Sequence, residues 1–248
     1  METVTVNGIV LSVSQAGEAD RRMVILTKEQ GRISVFARGA SRPKSSLLAV
    51  SRPFVTGEFA LNPGRDSYSL HSAKIRDYFE SLSADYDRLT FGFYFLELAG
   101  YFSVEGADET ALLNLLYLAL KALEKGNIPV PLVRLVYEYR LFVVSGVYPQ
   151  VFSCAECKKD FTEGFVSPER GNAVHEECKD LHSGLIYMDR SSVYTLQYII
   201  TVPLQKLFSF RVSPGVYDTL EKLLAAWKKR YLGRAMKSEM LLPVIEYK

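Results

Sequence analysis

The stretch Gly31-Arg-Ile-Ser-Val-Phe-Ala-Arg38 alternates Ile33, Val35 and Ala37 with Arg32, Ser34 and Phe36. That period of two describes a strand with one buried face. Upstream, the apolar run Met23–Thr27 faces Val4–Val13 across the turn-like Ala16-Gly17-Glu18. Val4–Val13 is rich in β-branched residues and is broken at Asn7-Gly8, a bulge or bend. Downstream, Phe54–Leu61 and Tyr68–Ile75 flank the turn Asn62-Pro63-Gly64. Five short strands separated by Gly- and Pro-bearing turns predict a small closed barrel. An OB-fold is the commonest five-stranded solution, and an SH3-like barrel is its rival.

From Ser83 the apolar period lengthens to that of a helix. Tyr86–Phe102 carries Leu89, Phe93, Leu96, Leu98 and Phe102; Ala107–Lys125 contains LLNLLYLALKAL; Pro131–Ser145 contains LVRLVYEYRLFVV after Pro129. Runs this apolar on every side predict helices packed on one another. Ser191/Ser192 caps a short helix through Ile200, and Ser213-Pro214 opens a last helix to about Tyr231, stopped at Gly233. The expected organisation is α+β: an N-terminal five-stranded OB-fold barrel over residues 1–80, then a mostly α-helical domain over 81–248 with an inserted module at about 150–184.

Composition bounds the function. With 48% hydrophobic and 23% charged residues in 248, the chain is neither disordered nor collagen-like. It has no apolar run of about eighteen residues, the length needed to span a bilayer. METVTVNGIV lacks a basic n-region, so no signal peptide is expected. Three Cys argue against a disulfide framework and for a reducing, cytoplasmic setting. The net charge of +2 hides segregation: 11 Lys/Arg against 6 Asp/Glu in residues 1–76, 9 against 17 in 77–180, and 10 against 5 in 181–248. Basic blocks at both ends favour a polyanion or an acidic partner, unless they are solvated faces.

Cys154-Ala-Glu-Cys157 is followed, after 17 residues, by His175-Glu-Glu-Cys178. Two such knuckles place Cys154, Cys157, His175 and Cys178 where one tetrahedral Zn²⁺ can be held. Four protein ligands leave no position for water, so the ion would be structural. The alternatives are a redox-active Cys154/Cys157 dithiol, plain buried cysteines, and His182 as the fourth ligand.

A second signal is cationic. Arg21, Arg22, Lys28, Arg32, Arg38, Arg42, Lys44 and Arg52 stand against Glu29 alone. Arg38-Gly-Ala-Ser-Arg42-Pro-Lys44-Ser-Ser46 is a Gly/Ser/Pro loop after a strand, where backbone N–H groups and cations approach phosphates together. Arg21, Arg22, Arg32, Arg38, Arg42, Lys44 and Arg52 are thus candidate DNA contacts. Phe36, Phe54, Phe59 and Tyr68 stack on bases or fill the barrel. A third cluster, Trp227, Lys228, Lys229, Arg230, Arg234 and Lys237, suits an acidic, hydrophobic peptide or a phosphate backbone. Its alternative is an ordinary helix with Trp227 in the core. The sequence has no phosphate-binding P-loop, HExxH, GxSxG or dinucleotide fingerprint, and His71 reads as structural. No catalytic residue is expected.

The order of these features resembles the RecO recombination-mediator family. The resemblance is carried by Gly8-Ile-Val-Leu, Gly17-Glu18 through Leu26-Thr27 to Gly31-Arg32-Ile33, and Ala37-Arg38-Gly39-Ala40 with Arg42-Pro43-Lys44-Ser45. It continues through Pro53-Phe54, Gly57-Glu58-Phe59, Tyr94–Ala99, Leu141–Pro149 and Leu232–Ser238. It implies an N-terminal OB-fold and a helical C-terminal domain with an inserted zinc module. It further implies binding of single- and double-stranded DNA and annealing of complementary strands, in the bacterial cytoplasm at the nucleoid. The implied partners are RecR and single-stranded DNA-binding protein, whose acidic tail the helical domain would receive, in loading RecA. One position departs from the family pattern: His175 stands where zinc-bearing members usually have Cys. A zinc hydrolase or nuclease, and an interaction scaffold without annealing activity, are the competing functions.

Overall fold

The structure is a computed structural model describing residues 3–181 and 184–247. Strands β1 (Val4–Ala16), β2 (Asp20–Thr27), β3 (Gly31–Ala37), β4 (Thr56–Pro63) and β5 (Tyr68–Asp77) close into a barrel in the order β1-β2-β3-β5-β4. β3 and β5 run parallel, pairing Val35 with Tyr68 and Phe36 with Ser69, while the other neighbours are antiparallel. A parallel pair needs a crossover rather than a hairpin. Here the crossover carries the Arg38–Val55 loop, whose one-turn helix α1 spans Leu47–Val50, and then β4. This is the OB-like, five-stranded arrangement.

Val6, Val10, Met23, Ile25, Ile33, Val35, Phe59, Leu61 and Leu70 fill the barrel. The bulge expected at Asn7-Gly8 lies instead between Val10 and Ser12. Gly8 answers a different need: a Cβ there would stand 2.6 Å from the Leu26 carbonyl oxygen of the paired strand.

Helix α2 (Tyr86–Phe102) starts at Asp85, whose carboxylate accepts the Arg88 N–H at 3.1 Å. Helix α3 (Thr110–Lys125) starts later than the apolar pattern predicted, because Asp108 takes the Thr110 N–H at 2.9 Å and so begins the turn there. Both helices group with the barrel: the first compact unit extends to Glu124 and includes Met240–Leu242. The expected boundary at 80/81 falls in the short 3-10 turn Glu80–Ala84 between β5 and α2, within this first compact unit.

The second unit comprises Lys125–Glu239 and the residues from Pro243. Helices α4 (Val130–Val144), α5 (Arg190–Thr201) and α6 (Pro214–Tyr231) pack on one another. The cap of α5 is Asp189, which accepts the Ser192 N–H at 2.8 Å, rather than Ser191 or Ser192. Between α4 and α5 in sequence lies a small sheet the periodicity did not reveal. It runs β6-β8-β7-β9, from β6 (Gln150–Cys154), β7 (Gly164–Ser167), β8 (Asn172–Val174) and β9 (Ile186–Met188).

An ion network ties α4 to α6. Glu138 is 2% exposed and meets Arg134 at 3.0 Å and Lys228 at 2.8 Å; Arg134 also holds Glu221 at 2.5 Å, and Lys228 pairs with Glu239. Burial opposes the charge on Lys228, but Glu138 and Glu239 outweigh it and raise the ammonium's pKa. A buried carboxylate stays charged only when paired in this way.

Candidate nucleic-acid interface and metal centre

Cross-strand register fixes which barrel residues share the outer face. Ser14 opposes Arg22, which opposes Phe36; Ser12 opposes Val24, which opposes Ser34. Directly opposed residues project from one face, so Ser12, Ser14, Arg22, Val24, Ser34 and Phe36 form a shallow surface of three hydroxyls, one cation, one half-buried valine and one half-buried ring. Strands two and three form the ligand-binding face of OB barrels.

The seven candidate DNA cations divide by what holds them. The Arg21 guanidinium donates to the Ser51 carbonyl at 2.9 Å and to Ser41 Oγ at 3.3 Å, fastening both ends of the crossover loop to β2. Arg32 donates to the Gly100 carbonyl near the end of α2 at 2.5 Å. Arg22 donates to Ser34 Oγ at 2.9 Å but remains exposed. Arg38, Arg42, Lys44 and Arg52 are exposed, and among the described residues no hydrogen bond or ion pair engages their side chains. Arg21 and Arg32 thus organise the surface, while the other five present charge to solvent.

The loop itself is braced. Asp20 accepts the Gly39 N–H at 2.7 Å, the Ser41 N–H reaches the Ala19 carbonyl at 2.9 Å, and Ser41 Oγ donates to Gln15 at 3.1 Å. Lys44 sits at φ 67°, a left-handed conformation that turns the chain after Pro43. Ordering the loop before a ligand arrives lowers the entropy lost on binding.

The aromatic residues separate as well. Phe59 is barrel core. Phe54 is buried, its ring centroid 4.8 Å from that of Phe93 in α2. Gly92 permits this approach, since a Cβ there would lie 2.9 Å from Phe54 Cε1. The Tyr68 hydroxyl donates to Gln30 at 3.0 Å. That leaves Phe36 alone of the four on the β2–β3 outer face. His71 is exposed on β5, so burial gives it no structural role.

In the second unit the ligand atoms of Cys154, Cys157, His175 and Cys178 all lie within 4.8 Å of one another. Each knuckle is a backbone turn: the Lys158 N–H returns to the Cys154 carbonyl at 3.1 Å, and the Cys178 N–H to the His175 carbonyl at 3.0 Å. Lys158 takes φ 61° to complete the first. His175 Nδ1 lies 3.3 Å from Cys157 Sγ, and Nε2 lies 3.2 Å from the Asp160 carbonyl. With Nε2–H donating to that carbonyl, Nδ1 carries the lone pair a metal needs.

Burial opposes ionisation of Cys154, but the backbone N–H groups of Cys157, His175 and Glu156 outweigh it and bring the thiol down to about 6. Cys178 goes the other way, to about 11, through desolvation and the neighbouring Cys154 and Cys157 sulfurs. Crowded thiolates repel, and a divalent cation among them reverses that repulsion. A tetrahedral ion with bonds of about 2.3 Å sets its ligand atoms under about 4 Å apart, so the four groups fit after a contraction of about 1 Å. The donor set is compatible with a metal site. His182, the competing ligand, lies outside the described residues.

At the C-terminal cluster Trp227 is 1% exposed and its indole N–H donates to the Val147 carbonyl at 3.0 Å. Trp227 is therefore core, a correction to its place among candidate partner contacts: a large apolar ring on the inner stripe of α6 gains more from burial than from solvent. Lys228 is half-buried in the ion network. Lys229, Arg230, Arg234 and Lys237 are exposed.

Two family models match: "Recombination protein O N terminal" over residues 1–79 and "Recombination protein O C terminal" over residues 83–240. The chain is 32% identical over 236 residues to the DNA repair protein RecO of Acetivibrio thermocellus, covering 94% of each chain. It is 29% identical over 232 residues to that of Alkaliphilus metalliredigens, covering 93% of this chain and 94% of the relative. With that of Desulforudis audaxviator it shares 30% identity over 241 residues, 96% of this chain and 95% of the other. Matched across barrel and helical region alike, this chain belongs to the recombination protein O family.

Proposed function

We propose that this protein is a non-enzymatic mediator of DNA repair and recombination. It binds single- and double-stranded DNA, anneals complementary strands, and acts with RecR and single-stranded DNA-binding protein in loading RecA. One observation carries the reading: Arg38, Arg42, Lys44 and Arg52 stand exposed and unengaged on a braced loop of an OB-like barrel. Such cations neutralise phosphates and release counterions. Two complementary strands held on one basic surface then approach without full mutual repulsion, and base pairing supplies the driving energy. No acid, base or nucleophile is needed.

Zn²⁺ held by Cys154, Cys157, His175 and Cys178 staples the two turns of the β6–β9 module together, beside its small apolar core of Val151, Phe161, Val166, Val174 and Met188. Lys229, Arg230, Arg234 and Lys237 supply cations for the acidic tail of single-stranded DNA-binding protein. The family names support a repair and recombination role, and in this reading its setting is the bacterial cytoplasm at the nucleoid.

The test is gel-shift and strand-annealing measurement over a salt titration. Log affinity should fall linearly with log salt, and the protein should accelerate annealing of complementary strands. Absence of DNA binding at 10–20 mM salt, about an order of magnitude below physiological ionic strength, would sink the proposal.

A further inference from the structure

Within the first unit, a cavity of about 270 Å³ opens between the crossover loop, the segment after β5, and α2. Arg52, Phe54, Tyr78, Phe79, Glu80 and Phe93 are among its lining residues. It is smaller than the ~300–1,000 Å³ sites that take a drug-sized ligand, which leaves room for one flat ring system.

Two features mark it as built rather than incidental. Phe54 and Phe79 both take left-handed backbone conformations, φ 72° and 51°, which bulky residues rarely adopt and which cluster at ligand sites. Each is held there. Phe54 donates its N–H to the Val10 carbonyl at 3.0 Å, and its own carbonyl accepts from Thr56 Oγ1 at 3.0 Å. Phe79 donates its N–H to Asp77 at 3.0 Å, and Lys121 lies 4.8 Å over its ring while pairing with Asp77 at 2.5 Å. The second feature is exposed aromatic surface where burial was available: Tyr78 is 39% and Phe93 41% exposed.

The cavity is continuous with the basic loop, because Arg52 belongs to both. We infer that it receives one unstacked base of a single strand whose phosphates lie on Arg38–Arg52. Arg52 would meet the adjoining phosphate, while Tyr78 and Phe93 offer π-faces to the base. Glu80, the carboxylate of the wall, disfavours phosphate inside and accepts hydrogen bonds from base amines. The unengaged cations along the approach favour a nucleic-acid occupant over an acidic or apolar peptide. A duplex keeps its bases stacked and cannot make this insertion without unpairing. The inference rests on the DNA-binding role proposed above and adds a discrimination between single strand and duplex.

The experiment uses the full chain and single-stranded oligonucleotides carrying 2-aminopurine, whose fluorescence is quenched by stacking on aromatic rings. A Tyr78→Leu/Phe93→Leu variant keeps apolar bulk against Phe54 but removes the two exposed π-faces, leaving only the buried rings of Phe54 and Phe79. Single-strand affinity should fall about five- to 150-fold, the range for loss of one stacked base. The quenching should vanish, while the salt slope and duplex affinity stay at parental values. Phe93→Tyr should retain binding. If the double variant unfolds, Tyr78→Leu alone, outside any helix, carries the same comparison. Single-strand affinity equal to the parent's, or equal losses on single strand and duplex, overturns the base pocket while leaving the binding role intact. A parent chain that binds no single strand overturns both.

Discussion

Neutralising Arg42 and Lys44 together, as Arg42→Gln/Lys44→Gln, isolates the electrostatic term of DNA binding. Both side chains are exposed and unengaged, so no fold contact is removed; glutamine at 44 has the same backbone preferences as lysine at φ 67°. Surface changes of this kind shift stability by at most about 0.5 kcal/mol. Each phosphate contact on a single strand contributes about 0.7 to the slope of log affinity against log salt, so two contribute about 1.4. If those contacts extrapolate to nothing at 1 M salt, the variant binds about 65-fold more weakly at 50 mM and about tenfold more weakly at 200 mM. Fluorescence anisotropy with a labelled single strand, at five or more salt concentrations, measures both quantities. The contrast is Arg32→Gln: its guanidinium is committed to the Gly100 carbonyl, so stability should drop with little change of slope. A double variant with the parental slope, or Arg32→Gln with the larger slope change, would refute the division of cations into presenting and organising sets.

Trp227→Ala should destabilise the second unit by about 3–5 kcal/mol, the range for deleting a buried large aromatic, and urea unfolding followed by circular dichroism reads it; a loss under 1 kcal/mol would contradict its core placement. Gly92→Ala gains about 1 kcal/mol of helix propensity but drives a Cβ to 2.9 Å from Phe54, at an overpacking cost of about 1–3 kcal/mol; the melting temperature should fall, and a rise would mean that the Phe54 ring yields freely. For zinc, elemental analysis should find about one ion per chain, retained in His175→Cys and lost in Cys157→Ser; full retention in Cys157→Ser would remove that residue from the ligand set. Burial pushes the Asp77 carboxyl up, but the Lys121 ammonium and the N–H groups of Phe79 and Tyr78 outweigh it, so its folded pKa lies below the unfolded value. Its contribution is therefore complete above about pH 4–5 and is lost as pH falls through the folded value. Asp77→Asn should flatten the acid limb of a stability–pH curve, and superimposable acid limbs would exclude the pair as a contributor.

Much of this architecture is written in local pattern. Ile33, Val35 and Ala37 alternate because one strand face is buried, and that pattern needs no partner to be read. The ends of α2, and of α6 at Pro214 and Tyr231, followed from periodicity and cap chemistry, which act within a few residues. The Cys/His spacing likewise placed four ligands on two turns. The β6–β9 sheet left no such trace, since strands of three to five residues are too short to show a period. Charge count made seven cations equivalent along the chain. Only tertiary structure separated Arg21 and Arg32, which spend their guanidinium groups on carbonyls 30 and 68 residues away, from the cations left facing solvent. The same holds for Trp227: apolar area and an adjacent Lys-Lys-Arg run are legible in sequence, but which side of α6 faces inward depends on α4 and the Val147 carbonyl. The aromatic cavity is the extreme case. Its walls come from positions 52–55, 78–83 and 89–93, and they meet only because the β4–β5 hairpin brings Asp77 back opposite Thr56 and α2 packs against the crossover loop.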